Sequence, residues 1–144
     1  MSAEEFDRLV VTGGLLEWAH VFDDRYGTPI EPVLQALDAG VDVLLEIDVQ
    51  GARQVKERLP EAVLILLEPP SMAELERRLR SRGTESEERI ARRLAEAASE
   101  LEQRVWFDHV VVNDELERAS AQVAAIIQGL PTTPDTIPEG PTYP

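Results

Sequence analysis

Seven arginines lie within residues 77–93, half of the fourteen basic residues in a 144-residue chain of formal net charge -14. They are Arg77, Arg78, Arg80, Arg82, Arg89, Arg92 and Arg93. A guanidinium group is planar, stays charged at any working pH and can pair with two phosphate oxygens at once, which is typical of phosphate sites. Charge runs also form solvated helix faces in which arginine pairs with glutamate. Charge alone leaves these two interpretations about even.

Two carboxylates, Glu46 and Asp48, close the apolar run that begins after Asp42. The valine, leucine and isoleucine residues of this run predict a strand of a parallel sheet that is covered on both faces. Ligands of open α/β sheets bind at the carboxyl ends of the strands, so we expect both side chains at a binding edge. The alternative is an acidic strand end in which Asp48 caps the next helix.

The composition is that of one ordinary α/β domain, with 43% apolar and 5% aromatic residues. The acidic excess argues against nucleic acid and membrane surfaces as partners, because both require a broad positive surface. The chain has no cysteine, which excludes disulfides and thiolate metal sites. The sequence shows neither a signal-peptide core nor an apolar run that could span a bilayer, so we expect a cytoplasmic location.

Helix patterns alternate with strand patterns, which predicts right-handed βαβ crossovers and a parallel sheet with flanking helices. Helices are expected at 2–13, 28–39, 49–58, 71–81, 88–105 and 113–129, and strands at 15–22, 42–48, 62–67 and 109–112. Three serine or threonine residues, each followed three positions later by glutamate, predict helix starts at Ser2, Thr28 and Ser71. Residues 131–144 hold five of the ten prolines, which predicts a disordered tail.

Five sequence segments stand in a fixed order along the chain. They are LLEWA at 15–19, YGTP at 26–29, DVLLEIDVQGA at 42–52, RSRGTESEERIARRL at 80–94 and FDHVVVND at 107–114. In order and spacing they resemble guanylate kinase, from about residue 2 to about residue 130. The resemblance implies an α/β fold of the P-loop-kinase type, with a parallel sheet, a small GMP-binding subdomain and an arginine-rich lid. It also implies transfer of the γ-phosphate of ATP to GMP, with Mg²⁺ accompanying ATP, as part of purine nucleotide metabolism.

The resemblance implies GMP-binding positions in the first part of the chain. Glu17 would read the base, since a carboxylate can accept from the N1 and N2 donors of guanine that adenine lacks. Tyr26 and Gly27 match positions at the GMP phosphate, and Thr28 matches a hydroxyl position near the base. Without the resemblance, Glu17 is an outward strand residue, and the other three form a turn and a helix cap.

Glu46 and Asp48 match the family's acidic pair near the ribose, the GMP phosphate and the magnesium shell. No direct metal ligand is implied, and Asp48 would act through water. Magnesium that is held largely by phosphates needs only one or two carboxylates, so this sparse pair is sufficient.

On the ATP side, Arg82 and Arg93 match the catalytic lid arginines that reach the ATP phosphates. Arg78 and Asn113 match positions near adenine, although Asn113 with Asp114 can equally be a helix cap. Phosphoryl transfer needs no protein nucleophile, because aligning the two phosphates and neutralising their charge are sufficient. The other four arginines of the cluster are expected to form surface ion pairs.

The resemblance divides the chain into a domain over 1–130 and the tail over 131–144. Within the domain it implies a GMP-binding subdomain at 1–36, a core at 37–76 and 95–130, and a lid at 77–94. The family begins with a central strand and the phosphate loop G-x-x-x-x-G-K-[ST], which this sequence does not contain; its one lysine is Lys56. We therefore expect a truncated chain or a misassigned start, with little or no catalysis by these residues alone.

Two functions remain open at this point. The first is a GMP kinase whose partners are GMP and ATP. The second is a noncatalytic protein-interaction module with a guanylate-kinase-like fold. The joint presence of Glu17, Tyr26, Arg82 and Arg93 favours the kinase, because an interaction surface needs neither a guanine reader nor lid arginines.

Overall fold

A computed structural model describes residues 1–21, 24–83 and 86–130, and the chain divides into two units, Met1–Ala62 and Val63–Pro144. The described residues form six α-helices, one 3₁₀ turn and four strands, which confirms the α/β class. No described helix is both long and apolar enough to cross a membrane. The predicted disordered tail at 131–144 lies outside the described residues.

The first helix, α1 (Ala3–Thr12), begins and ends as its sequence predicts. Ser2 Oγ accepts a hydrogen bond from the Glu5 backbone N–H over 3.2 Å, which satisfies one of the free donors of the first turn. Gly13 ends the helix in the left-handed region at a φ of 71°. Glycine suits this position because it has no Cβ to clash there.

Strands β1 (Leu15–Val21) and β2 (Asp24–Pro29) form an antiparallel pair in which Trp18 lies opposite Gly27. The strand predicted at 15–22 is confirmed as far as Val21, and Phe22 lies outside the described residues. The alternative interpretation of residues 26–28 as a turn and a helix cap is wrong, because these residues belong to β2. A turn signature and a strand that pairs with the preceding strand can share the same polar and glycine residues, so the signature alone does not distinguish them.

Helix α2 (Ile30–Asp38) follows β2 directly, and it begins two residues later than predicted. Its N-cap is Pro29, with no side-chain hydrogen bond to the first turn, so the prediction that Thr28 caps this helix is wrong. The Thr28 hydroxyl instead donates to the carboxylate of Glu17.

The strand predicted at 42–48 is also wrong, since residues 41–48 form neither helix nor strand. A strand requires a hydrogen-bonded neighbour, and the two described strands of this unit pair with each other. The segment still alternates: Val43, Leu45 and Ile47 pack on the core, whereas Leu44 is 74% exposed. One face is therefore covered, rather than the two that the apolar run predicted.

Helix α3 (Val49–Arg58) confirms the predicted helix at 49–58 and completes the core of this unit. The buried centre consists of Leu16, Val33 and Val55, one residue each from β1, α2 and α3. Burial of an aliphatic side chain contributes about 1.5–3 kcal/mol, so these three residues hold α2 and α3 against β1.

The second unit contains a two-stranded parallel sheet, as the βαβ pattern predicts. Its strands pair in the register Ile65 opposite His109 through Glu68 opposite Val112. The elements are β3 (Ile65–Glu68), α4 (Met72–Ser81), α5 (Glu87–Glu102), the 3₁₀ turn Arg104–Trp106, β4 (His109–Val112) and α6 (Leu116–Ile127). Thr84 and Glu85, within the predicted lid, lie outside the described residues.

The boundaries of this unit differ from the sequence predictions at several elements. The helix predicted at 88–105 ends at Glu102, and a separate 3₁₀ turn follows it. The strand predicted at 62–67 is shorter and shifted, since β3 begins at Ile65 and ends at Glu68. The N-cap of α6 is Glu115, with no side-chain cap bond, so the alternative in which Asn113 and Asp114 cap this helix is wrong. Asp114 accepts instead from the backbone N–H of Glu115 and from Arg118. The predicted start of α4 is confirmed, because Ser71 Oγ accepts from the Glu74 backbone N–H over 3.1 Å.

Candidate functional site

The most informative side chain of the first unit is Glu17, a carboxylate that is only 5% exposed. It lies in β1 opposite Thr28 of β2, and Thr28 Oγ1 donates to Glu17 Oε1 over 2.6 Å. Among the described residues, this is the one hydrogen bond that the carboxylate receives. A buried carboxylate can accept several hydrogen bonds and is costly when few are made, so Glu17 has acceptor capacity for a ligand.

The other oxygen of this carboxylate, Glu17 Oε2, lies against the first turn of α3. A Cβ atom placed on Gly51 would come within 2.6 Å of Glu17 Oε2 and 3.4 Å of Asp48 Oδ1. Any residue larger than glycine would therefore have to displace the Glu17 carboxylate. The structure thus brings together three predicted site residues, Glu17, Thr28 and Asp48. Glu17 and Asp48 lie against Gly51, and Thr28 contacts Glu17.

Asp48 is the N-cap of α3, and its Oδ1 accepts from the Gly51 backbone N–H over 2.7 Å. The helix-cap interpretation of Asp48 is therefore confirmed. The N-terminus of a helix carries a partial positive charge, which favours negative groups close to it. Asp48 and Glu17 both benefit from this field, so two carboxylates can lie near each other in this unit.

Glu46, the other predicted acid, is exposed in the irregular segment before α3. Within the described part of the chain, no hydrogen bond or ion pair joins it to Glu17 or Asp48. No group of three or more metal-ligating side chains occurs among the described residues. The water-mediated metal contact that the resemblance implies for Asp48 stays a prediction.

The predicted phosphate positions lie on β2. Tyr26 is 59% exposed and precedes Gly27, at which a Cβ would lie 2.9 Å from the Glu17 carbonyl oxygen and 3.0 Å from Trp18 Cβ. Glycine therefore lets β2 approach β1 closely enough for Thr28 to reach Glu17. Because successive side chains of a strand alternate, Tyr26 and Thr28 share one face of β2.

In the second unit, Arg78 and Asn113 lie together. The Arg78 guanidinium donates to the Asn113 carbonyl over 2.9 Å and to Glu74 Oε1 over 2.8 Å, and so ties α4 to the end of β4. Arg82 is exposed at the C-cap of α4, and within the described residues its side chain makes no hydrogen bond or ion pair. Arg93 is half-buried on α5.

Surface ion pairs form within the arginine cluster, as the sequence predicts. Arg77 pairs with Glu74, Arg80 with both Glu76 and Glu87, and Arg92 with Glu96. Hydrogen bonds from Arg77 and then from Arg78 lower the pKa of Glu74 to about 2. The arginine cluster therefore contains ion-paired surface residues, and also Arg82, whose exposed side chain forms no ion pair with any residue that the structure describes.

Sequence reasoning missed three residues that have distinctive surroundings in the structure. Gly51 and Gln54 contact β1 from α3, and the signal was their spacing of three residues, which places both on one helix face. Glu68 is 8% exposed at the end of β3, with Arg104 Nε 3.3 Å from its Oε1. Burial raises the pKa of Glu68, while the charge of Arg104 opposes that rise.

Comparison with known proteins identifies the family. The family model described as Guanylate kinase matches residues 1–130. The chain therefore belongs to the guanylate kinase family, which confirms the resemblance drawn from its five segments.

Individual relatives agree with this assignment. A guanylate kinase of Synechococcus sp. (strain CC9311) is 56% identical over 122 residues, which are 85% of this chain and 64% of that protein. A guanylate kinase of Caldanaerobacter subterraneus subsp. tengcongensis is 51% identical over 126 residues, 88% of this chain and 61% of that protein. The crystal structure of guanylate kinase from Anaplasma phagocytophilum superposes with a TM-score of 0.72 at 35% identity, over 90% of this chain and 62% of that one. The chain thus spans somewhat less than two thirds of the length of these relatives.

Proposed function

We propose that this chain takes part in the transfer of the γ-phosphate of ATP to GMP, giving ADP and GDP, and that Glu17 recognises guanine. The observation that carries the proposal is the Glu17 carboxylate, which is buried and fixed by Thr28 through one oxygen. The membership of the family supports the same reaction. The reaction belongs to purine nucleotide metabolism in the cytoplasm.

The chemistry of the base explains the choice of a carboxylate. Guanine presents N1–H and N2–H donors side by side, and an ionised carboxylate is an acceptor only. Adenine presents an unprotonated N1 at the same edge, which would place two acceptors against each other. A site that hydrogen-bonds a substrate donor rejects an analogue that lacks it, because its own polar group is then left unsatisfied.

The remaining site residues are assigned by the family pattern. We propose that residues 1–36 form the GMP-binding subdomain, with Tyr26 and Gly27 at the GMP phosphate and Thr28 beside the base. Glu46 and Asp48 would belong to the same site, in which Asp48 would hold Mg²⁺ through water. Magnesium would enter with ATP and supply charge neutralisation at its phosphates; the donor set fits this, since one or two carboxylates suffice for a cation held by phosphates.

For the ATP side, we propose that residues 77–94 act as a lid on a core formed by 37–76 and 95–130. Arg82 and Arg93 would neutralise charge on the phosphates during transfer, and Arg78 with Asn113 would lie on the adenine side. The exposed guanidinium of Arg82, which forms no ion pair within the described residues, supports this role, because it remains able to bind an anion.

The alternative, a noncatalytic interaction module, receives less support from the same geometry. A protein-interaction surface does not require a sheltered carboxylate with unused acceptor capacity, whereas recognition of the adjacent N1 and N2 donors of guanine requires an acceptor of this kind.

The binding part of the proposal is tested by isothermal titration of the 144-residue chain with GMP and with AMP. We expect GMP to bind about 10-fold or more tightly than AMP, and Glu17→Gln to abolish most of that preference, because the amide places a donor where an acceptor is needed. Glu57→Gln, which removes an exposed charge on α3, is the matched control and should retain it. Equal affinity for the two nucleotides in the unsubstituted chain would contradict the proposal.

The catalytic part requires a separate measurement. The 144 residues contain no glycine-rich phosphate loop, and phosphoryl transfer depends on such a loop to hold the ATP phosphates. We therefore expect little or no formation of ADP from ATP and GMP by these residues alone in a coupled assay. Robust turnover would overturn this expectation while leaving guanine recognition intact.

A further inference from the structure

The backbone N–H and carbonyl groups of Trp18 form hydrogen bonds with the side chain of Gln54, as they would with a neighbouring strand. The Trp18 N–H donates to Gln54 Oε1 over 3.1 Å, and Gln54 Nε2 donates to the Trp18 carbonyl over 2.7 Å. A backbone N–H can only donate and a carbonyl can only accept, so these two contacts fix the orientation of the Gln54 carboxamide. One amide group on α3 thus pairs with one residue of β1 as a strand residue would.

This contact lies next to Glu17, the residue that we propose to recognise guanine. Trp18 directly follows Glu17 in β1, and Gln54 lies three residues after Gly51 in α3, on the same helix face. At Gly51 the helix bounds the Glu17 carboxylate, since a Cβ there would lie 2.6 Å from Glu17 Oε2. The helix that bounds the carboxylate is therefore also the helix that fixes the adjacent backbone.

We propose that Gln54 is a positioning residue for guanine recognition, which fixes β1 on α3 so that the Glu17 carboxylate faces the donors of the base. The proposal rests on the proposed function of Glu17 as the guanine reader. Gln54 itself does not touch the nucleotide. A misplacement of about 1 Å at a reacting or binding group can cost about two orders of magnitude, so a contact of this kind can control affinity from outside the site.

The variants Gln54→Leu and Gln54→Glu separate positioning from simple stabilisation. Leucine removes both hydrogen bonds at similar size. Glutamate keeps an acceptor for the Trp18 N–H but places an acceptor against the Trp18 carbonyl, so it offers a second variant should the leucine variant fail to fold. Gln50→Leu is the matched control, because Gln50 is an exposed glutamine one turn earlier on α3.

Three measurements are made on each variant: the GMP and AMP dissociation constants, the hydrogen-exchange rate of the Trp18 amide, and the ¹³C chemical shift of Glu17 Cδ. In both Gln54 variants we expect the Glu17 Cδ resonance to move and GMP affinity to fall by about 10-fold or more. We expect faster Trp18 exchange in Gln54→Leu, and Gln50→Leu should match the unsubstituted chain in all three measurements. A purely structural role would change exchange and stability without moving the Glu17 resonance.

The outcomes distinguish the two proposals. If the folded Gln54 variants leave the Glu17 Cδ shift unchanged, or if they bind GMP within about twofold of the unsubstituted chain, Gln54 is not a positioning residue. If the unsubstituted chain shows no preference for GMP over AMP, the proposed function of Glu17 fails. The Glu17 resonance then still decides whether Gln54 fixes the carboxylate.

Discussion

Thr28 Oγ1 donates to Glu17 Oε1 over 2.6 Å, and the two residues lie opposite each other in the β1–β2 pair. This bond joins a buried carboxylate to a half-buried hydroxyl. Hydrogen bonds to charged groups contribute about 1.5–3 kcal/mol, and loss of one partner leaves the other desolvated and unsatisfied. The pair therefore combines a contribution to stability with the placement of the predicted guanine reader.

Replacing Thr28 by valine tests this relationship at nearly constant shape. We expect Thr28→Val to lower the free energy of unfolding by about 1–3 kcal/mol, because Glu17 loses its donor while remaining buried. Urea denaturation followed by circular dichroism measures the change. Thr28→Ser retains the hydroxyl and should lose much less stability. Equal losses in the two variants would show that the methyl group, and not the hydrogen bond, is responsible.

Gly51→Ala should separate stability from binding. Alanine in place of glycine in a helix interior normally stabilises by about 1 kcal/mol, which is an upper limit for Gly51 because it lies in the first turn of α3. Here the new Cβ meets the end of the flexible Glu17 side chain at 2.6 Å, so the carboxylate must move while the backbone need not. We therefore expect the free energy of unfolding to change by less than about 1 kcal/mol, whereas GMP affinity in calorimetry falls by about 10-fold or more.

Ala52→Gly, at the adjacent buried position of α3, provides the opposite control for Gly51→Ala. It should destabilise the helix but leave the Glu17 carboxylate, and hence GMP affinity, unchanged. Unaltered GMP affinity in Gly51→Ala would contradict the prediction that the absence of a side chain at Gly51 makes room for the carboxylate.

The sequence predicted well those features that depend on near neighbours. The capping signatures at Ser2 and Ser71 predicted the starts of α1 and α4, because each requires only a side chain and a backbone N–H three residues apart. The same signature at Thr28 gave a wrong result. The Thr28 hydroxyl instead donates to Glu17 across the strand pair. The capping signature does not specify that contact.

The residues of the candidate site also differ in whether a local sequence pattern could predict them. Glu17 came from the resemblance alone, since an acid within a strand has no distinctive local pattern. The strand predicted at 42–48 failed because alternating apolar residues specify an extended segment but not the partner that makes it a strand. Gln54 escaped prediction for the same reason, because its two contacts lie 36 residues away in the chain.

Glu68 provides a prediction on pH dependence in the second unit. Burial raises the pKa of this carboxyl above its ordinary value of 4.5, partly opposed by the charge of Arg104. The folded state therefore binds the proton more tightly than the unfolded state. The stability that this group contributes is fully present below pH 4.5 and is lost as the pH rises through its folded pKa.

The measurement for Glu68 compares the unsubstituted chain with Glu68→Gln, whose amide does not titrate. The free energy of unfolding of the unsubstituted chain, relative to that of Glu68→Gln, should increase as the pH falls from 7 towards about 5. Other carboxylates, such as Glu74, titrate alike in both proteins, so their effects cancel in the difference. A difference that stays constant, or that shifts in favour of the glutamine variant, would contradict the raised pKa.

Arg82 and Arg77 form a matched pair within the arginine cluster. Both are exposed on α4 or at its end, but Arg77 donates to both oxygens of Glu74, whereas the Arg82 side chain has no ion pair within the described residues. Exposed substitutions without partners usually change stability by less than about 0.5 kcal/mol. We therefore expect Arg82→Ala to leave the urea midpoint unchanged. It should weaken binding of ATP with Mg²⁺ by about 10-fold, because a charge-assisted hydrogen bond to phosphate is lost.

Arg77→Ala removes the same charge but should leave ATP affinity nearly unchanged, because its guanidinium is already bound to Glu74. Arg82→Lys should be intermediate, since an ammonium group keeps the charge but cannot pair with two phosphate oxygens in the fixed geometry of a guanidinium. If Arg77→Ala and Arg82→Ala weaken ATP equally, the cluster acts only through its summed charge, and Arg82 has no individual contact with the phosphates.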